Sequence, residues 1–284
     1  MIGLKNGVVK LESHNSAWIN EANHMIQLLS NIFQENALDI QHIGSTSIPL
    51  IKAKPIIDLA LKVDDFSSVK NYISDLEALG FIYNRHANLP NAMYFNRKIN
   101  NKTVSTHHLH VFHNESQEWR NHIYFRDYLN QNAEVAKAYE QLKEKLLIAF
   151  EHNRPMYTEL KADFIKQTIR KAQVYNFLGK VVKIKIDRPI GAIHPKHPEI
   201  IYPINYGYIE NEIAPDEEAL DVYLLGVDEK VSSYEGKIIA IIHRKNDIED
   251  KLVMAPIGVT FTAKEIQLQT YFQEQFYISK IETK

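Results

Sequence analysis

The sequence predicts an α+β unit with a mixed sheet and C-terminal helices over residues 1–174, followed by a small all-β barrel with one terminal helix over 177–284. Three observations carry this. His42–Leu61 reads as strand, tight turn, loop, strand, with helical stripes on both sides. After Gly179 the apolar period changes from helical to alternating. Five or more short apolar runs then precede a single helical stretch, which suggests a closed barrel.

Val8–Leu11 is expected as a short strand. A helix opens near Asn15, with Ser16 as N-cap, and runs to about Phe33 on the stripe Ile19, Ala22, Ile26, Leu29, Ile32 and Phe33. The strand ending at Ile43 leads into Gly44-Ser45-Thr46-Ser47, a turn of small side chains that leaves backbone N–H groups accessible. Pro55–Val63 is an apolar strand that contains one acid, Asp58. A carboxylate in such a strand needs a cation or hydrogen-bond partners, and the Gly44-Ser45 turn is its expected neighbour. Asp65–Leu79 is expected as one helix stopped at Gly80. Strands follow at Phe81–Tyr83, Ala92–Lys98 and Val104–Phe112, with a turn at Asn100-Asn101-Lys102. His108 and His110, two apart on a strand, share a face. Two imidazoles so placed can bind a divalent ion or a phosphate; on spacing alone an exposed polar edge strand is the favoured reading. Glu115–Arg170 reads as almost all helix, with Val135, Tyr139, Leu142, Leu146 and Phe150 on one stripe, and a last helix opens at Pro155 and runs to about Val174.

In the second part strands are expected at Lys180–Ile186, Ile200–Tyr208, Ala219–Leu225, Lys237–His243 and Leu252–Pro256, and a helix at Ala263–Phe276.

Composition limits the function classes. Net charge is −2, so nothing overall points to nucleic acid. From Phe177 onward there are 13 Lys and Arg against 17 Asp and Glu, an acidic balance that suits divalent cations and argues against a nucleic-acid barrel. Cysteine is absent, which rules out disulfides and thiolate chemistry and fits a reducing compartment. Met1–Val9 lacks an apolar core, so a cytoplasmic protein with no membrane span is expected. An oligomer is compatible with the sequence.

The run HIGSTSIPLIKAKPIID, His42–Asp58, resembles the GrpB family, whose members carry HIGSTAVPGLxAKPIID there. His108-Leu-His110-Val111, FRDYL at 125–129 and YTELKADFI at 157–165 extend the resemblance over residues 8–172. It implies a nucleotidyltransferase-like fold, in which the Gly-Ser turn holds nucleotide phosphates and the acid holds Mg²⁺. The implied binding set is Gly44, Ser45, Asp58, His108 and His110, with Lys54, Arg126 and Lys161 as phosphate contacts. The wider superfamily pattern has two acids separated by one residue; here Leu59 and Ala60 follow Asp58, so two-metal transfer is not expected.

YPINYGYIENEIAPDEEALDVYLLG, Tyr202–Gly226, resembles family I inorganic pyrophosphatases, which read YPxNYGFIPxT…DxDPxDVLVL, and Arg244–Pro256 resembles their later metal segment. This implies a pyrophosphatase- or OB-like barrel. Asp216, Asp221, Asp247 and Asp250 become the metal ligands for Mg²⁺ or Mn²⁺, Glu218 activates water, and Tyr206, Lys183 and Lys251 face phosphate. Lys185, His194 and Ala219 depart from that family's pattern. Two readings follow: a bifunctional enzyme that hydrolyses diphosphate beside a nucleotidyltransferase-like domain, or a nucleotide- and phosphate-binding protein whose sites do not turn over.

Overall fold

The computed structural model describes residues 2–5, 8, 10–84, 92–150, 156, 159–213, 218–247 and 249–284, and the chain divides into two units, Met1–Thr168 and Ile169–Lys284. Among the sequence expectations, Pro155, Tyr157 and Asp216 lie outside the described residues.

The first unit is built on a sheet of six strands. β1 (Leu4–Lys5), β2 (Asp39–Ile43), β3 (Ile57–Val63), β4 (Phe81–Tyr83), β5 (Ala92–Ile99) and β6 (Val104–His113) lie in the order β2-β3-β6-β5-β4, with β1 also pairing β6. Only β3 and β6 run parallel. The sheet is therefore mixed, as expected, and it is flanked by α1 (Ser16–Phe33), α2 (Phe66–Val69), α3 (Ile73–Ala78), α4 (Gln117–Gln131) and α5 (Ala133–Ala149).

β3 and β6 alternate strictly. Ile57, Leu59, Leu61 and Val63, with Leu109 and Val111, face a core completed by Trp18, Ala22, Met25, Leu29 and Phe33 of α1. The opposite face carries Ala60 and Phe112, packed with Ile43 against Trp119 of α4. Asp58 and His108 are register partners on that second face, and His110 lies opposite Ala60.

Several local expectations are corrected. The first strand is Leu4–Lys5 rather than Val8–Leu11; further along, Glu12 makes only an isolated bridge to Ala53. The cap of α1 is Asn15, whose side chain accepts from the Ala17 N–H at 2.9 Å, while Ser16 is already helical. The stretch after Asp65 is not one helix: a 3₁₀ turn, Lys70–Tyr72, separates α2 from α3.

α6 (Ala162–Phe177) runs through the division between the units, and its Val174 and Phe177 belong to the second unit's core. That unit contains β7 (Val181–Arg188), β8 (Asn205–Ile213), β9 (Ala219–Leu224), β10 (Ser233–Arg244), β11 (Lys251–Ala255), α7 (Ala263–Glu274) and β12 (Ser279–Thr283). The ring β11-β9-β8-β7-β10 closes by β10–β11 pairing, giving a five-stranded barrel. β9 and β11 are parallel. The sequence reading missed β12, which pairs antiparallel with the end of β10. β7 and β8 approach so closely at Gly207 that a Cβ there would collide with the Lys185 carbonyl oxygen.

Candidate functional site

In the first unit, β3 and β6 set Asp58 beside His108: Oδ1 lies 2.9 Å from Nδ1, with the side chains 28% and 13% exposed. β2 ends at Ile43, the register partner of Asp58, so the chain leaves the sheet directly beside the acid. Gly44 has φ 70° and ψ −172°, and a Cβ there would run into the Asp58 carboxylate. Glycine is thus required for the turn to rest on the acid. The turn is a 3₁₀ segment, Ser45–Ser47, held by Ser47 Oγ donating to the Gly44 carbonyl at 2.6 Å and by a His42 Nε2–Thr46 Oγ1 bond of 2.9 Å.

Around this pair stand further rings. Tyr94 lies 5.4 Å from His108 and 4.9 Å from His110, and His122 of α4 lies 5.7 Å from His110. Burial, reinforced by His122, pushes His110 down to about 3, and burial lowers His122 as well. Both are neutral imidazoles at neutral pH. Burial raises the Asp58 carboxyl, but the His108 hydrogen bond and the surrounding histidines outweigh it and hold it below its ordinary value. An ionised Asp58 orients the His108 ring through Nδ1, an arrangement able to bind a cation.

The other basic candidates do not converge there. Arg126 donates to Gln41 Oε1 at 2.8 Å, to the His42 carbonyl at 3.0 Å and to Asp127 at 2.7 Å, and so secures β2. Lys54 and Lys161 both act on Lys143, a residue the sequence reading passed over. It is 2% exposed, donates to the Lys52 carbonyl and lies 4.8 Å from the Tyr139 ring centre. Burial, then Lys161, lowers its ammonium to about 7. Its spacing of four from Tyr139 placed it on the apolar stripe, which was the available signal.

In the second unit, a pocket of about 280 Å³ opens at one side of the barrel. Arg188, Tyr202, Tyr206, Asp221, Glu249 and Lys251 form its inner lining. Lys251 is 3% exposed and bridges two carboxylates, Asp221 and Glu249, the latter at 2.5 Å. Tyr206 donates to Asp221 Oδ2 at 2.6 Å, and burial, then Asp221, raises its hydroxyl well above the ordinary value. Tyr202 is 1% exposed, yet its hydroxyl finds no partner among the described residues. Lys196 also lines the pocket, and its ammonium makes no hydrogen bond or ion pair among the described residues. Arg188 lies 5.2 Å from the Tyr206 ring centre and 5.9 Å from that of Tyr202, with Asp187 at 3.4 Å.

Of the expected metal ligands, Asp221 alone sits at the centre of this pocket. Asp247 lines it but accepts from Arg244 at 2.9 Å. Asp250 bonds His243 Nδ1 at 2.9 Å; it does not line this pocket but shares a small neighbouring cavity with Asp221, Glu249 and Lys251. Glu249 stands where Asp250 was expected. Glu249 and Asp250 precede β11, which opens at Lys251, so no strand period in the sequence sorts one from the other. Lys183 is an exposed strand residue opposite Glu235, and Glu218 is exposed just ahead of β9; neither lines the pocket. Among the described residues no three His, Asp or Glu side chains are grouped to hold a metal ion.

An α+β unit bearing an acid–histidine pair under a glycine turn, joined to a small closed barrel, is the arrangement so defined. A family model described as GrpB protein matches residues 8–171, and the chain belongs to the GrpB family. It is 32% identical over 173 residues to the glutamate-rich protein GrpB of Alkalihalophilus pseudofirmus, covering 60% of this chain and 99% of that one. The crystal structure of conserved protein GrpB from Enterococcus faecalis is similar at 33% identity and TM-score 0.53, over 57% of this chain and 96% of that chain. A crystal structure of an inorganic pyrophosphatase from Neisseria gonorrhoeae covers 33% of this chain and 72% of its own, with 18% identity and TM-score 0.27, too slight a likeness to assign fold or function. No helix among the described residues is long and apolar enough to cross a membrane.

Proposed function

We propose that the second unit binds a diphosphate group in the pocket between Arg188, Tyr202 and Lys251, and hydrolyses it with Mg²⁺ or Mn²⁺. The observation that carries this reading is the Tyr202 hydroxyl: a buried donor without a partner among the described residues, in a pocket whose lining also carries the cations of Arg188 and Lys196. Phosphate oxygens satisfy all three at once. Asp221 and Glu249 fit a hard cation, because they already converge on one ammonium and offer only oxygen ligands. They would hold the ion, which would supply charge neutralisation and an activated water. The chain's own part is to bind and orient: Arg188 and Lys251 take phosphate oxygens, and Tyr206 fixes the Asp221 carboxylate through its 2.6 Å bond.

In the first unit the reading is nucleotide binding at Gly44, Ser45, Asp58, His108 and His110, supported by the glycine turn resting on the Asp58–His108 pair, with a single acid where two-metal transfer needs a pair. One observation favours binding without turnover in the second unit. Lys251 already neutralises Asp221 and Glu249, so a divalent ion must displace it. Phosphate release from inorganic diphosphate, with Mg²⁺, Mn²⁺ or chelator, decides between them. Metal-dependent release supports hydrolysis. Diphosphate binding by calorimetry without release supports the binding protein. Absence of both removes the diphosphate reading.

A further inference from the structure

The pocket is more than a phosphate cradle. Its lining continues outward as a ladder of rings on the segment between β7 and β8. Tyr202, 1% exposed, stacks on His194 with an interplanar angle of 7° and centres 6.1 Å apart. His194 lies 5.0 Å from His197, whose side chain is 57% exposed. The ladder thus climbs from the barrel core to solvent in three steps, and Lys196 sits between the two histidines in sequence. The segment is held in shape by its own backbone: Tyr202 N–H donates to the Ala192 carbonyl at 2.9 Å, Gly191 N–H donates to the Tyr202 carbonyl at 2.7 Å, and His194 N–H donates to the Ile200 carbonyl at 2.9 Å. His194 Nδ1 accepts the Lys196 N–H at 3.2 Å, which fixes the ring's orientation.

An inorganic diphosphate engages only the inner end of this surface. It has no use for the two imidazole faces at the mouth. The volume of about 280 Å³ lies near the lower bound of organic ligand sites, roughly 300–1,000 Å³. Flat rings beside a cationic phosphate end are the combination that recognises a base joined to a phosphate chain, since bases stack on aromatic side chains for about 1–3 kcal/mol each. His194 is suited to this role: burial, then His197 and Arg188, lowers its pKa, so that ring is neutral at neutral pH.

Resting on the diphosphate reading of the pocket, we infer that its ligand is a nucleoside diphosphate, with the phosphates at Arg188, Tyr202 and Lys251 and the base against the His194–His197 faces. The phosphate chain and the base then occupy opposite ends of one cleft, and specificity over bare diphosphate comes from the ladder.

Calorimetry on the full chain with Mg²⁺ tests this, using ADP and inorganic diphosphate as probes and the variants His197→Ala and Arg188→Ala. His197 is exposed, so its truncation leaves the fold intact, which circular dichroism checks. The expected result is tighter binding of ADP than of diphosphate, a loss of about tenfold in ADP affinity for His197→Ala (~1.4 kcal/mol) with diphosphate unchanged, and weaker binding of both for Arg188→Ala. Diphosphate binding equal to or tighter than ADP, or His197→Ala affecting both alike, overturns the inference and leaves the phosphate pocket standing. ADP binding that survives both substitutions belongs elsewhere on the chain and also overturns it. If neither probe binds, the diphosphate reading itself fails.

Discussion

Replacing Lys251 by methionine isolates the electrostatic centre of the barrel. The ammonium is 3% exposed and serves two carboxylates, Asp221 at 25% and Glu249 at 28% exposure. Removing one partner of a fully buried ion pair costs about 3–5 kcal/mol, because the remaining charge is stranded. Here the carboxylates keep some contact with water, and that screening brings the expected loss to about 2–3 kcal/mol. For a unit of this size each kcal/mol is worth roughly 4 °C, so Lys251→Met should lower its melting temperature by ~10 °C. The two freed carboxylates then form a better divalent-cation site than in the parent. At Mg²⁺ concentrations 100 times its Kd, binding restores about 2.7 kcal/mol, most of the loss. The assay is thermal unfolding of parent and variant, with chelator and across a Mg²⁺ series. A Lys251→Met protein as stable as the parent, with no added response to Mg²⁺, would refute the view that these three groups form one coupled charge cluster.

Gly44→Ala should destabilise the first unit by about 1–3 kcal/mol from its positive-φ backbone alone, with a further loss from the clash with Asp58, read by denaturant unfolding. Tyr202→Phe should leave the melting temperature of the ligand-free protein unchanged or slightly raised, since it deletes an unpaired hydroxyl, yet weaken diphosphate binding roughly tenfold by calorimetry. The bond to Asp250, opposed by burial but helped by Glu282, raises the His243 pKa above its ordinary 6.5. Because the folded value is the higher one, this contribution is complete below about pH 6.5 and is lost as pH rises through the folded pKa. Melting temperature should therefore fall from this source above pH 6.5 in the parent, and the dependence should flatten in Asp250→Asn.

What the sequence made legible depended on whether a residue's setting was local. Gly44, Asp58 and His108 could be placed because a turn, an acid in an apolar strand and a period-two histidine pair each restrict the fold within a few residues. Asn15 and Ser16 are both good caps, and only the observed φ/ψ of −133° and 126° at Asn15 distinguishes them. β12 has the sequence SKIET and is mostly exposed, so it carries no apolar alternation to read; its pairing with β10 is a tertiary fact. The break at Lys70–Tyr72 likewise interrupts a stretch whose apolar spacing is continuous. In the barrel, the YPINYG run marked Tyr206 but not the solitary hydroxyl of Tyr202, since whether a donor is left unpaired depends on residues distant in sequence. Glu249 precedes β11, so no strand period marked it as the residue beside Lys251. That Asp250 instead serves His243 depends on where β10 ends, which no local signal states.

The parallel pairing of β9 with β11 sets an order in time. β9 cannot complete its second edge until Lys251–Ala255 has been synthesised and has crossed back past β10, a non-local step of the kind that slows folding. Lys251 opens that same strand. Before closure Asp221 has no ammonium beside it; at closure the barrel's last edge and the charge balance of its pocket arrive together. An incompletely folded second unit is therefore also one with an unassembled pocket, and recovery of diphosphate binding during refolding should follow barrel closure rather than precede it.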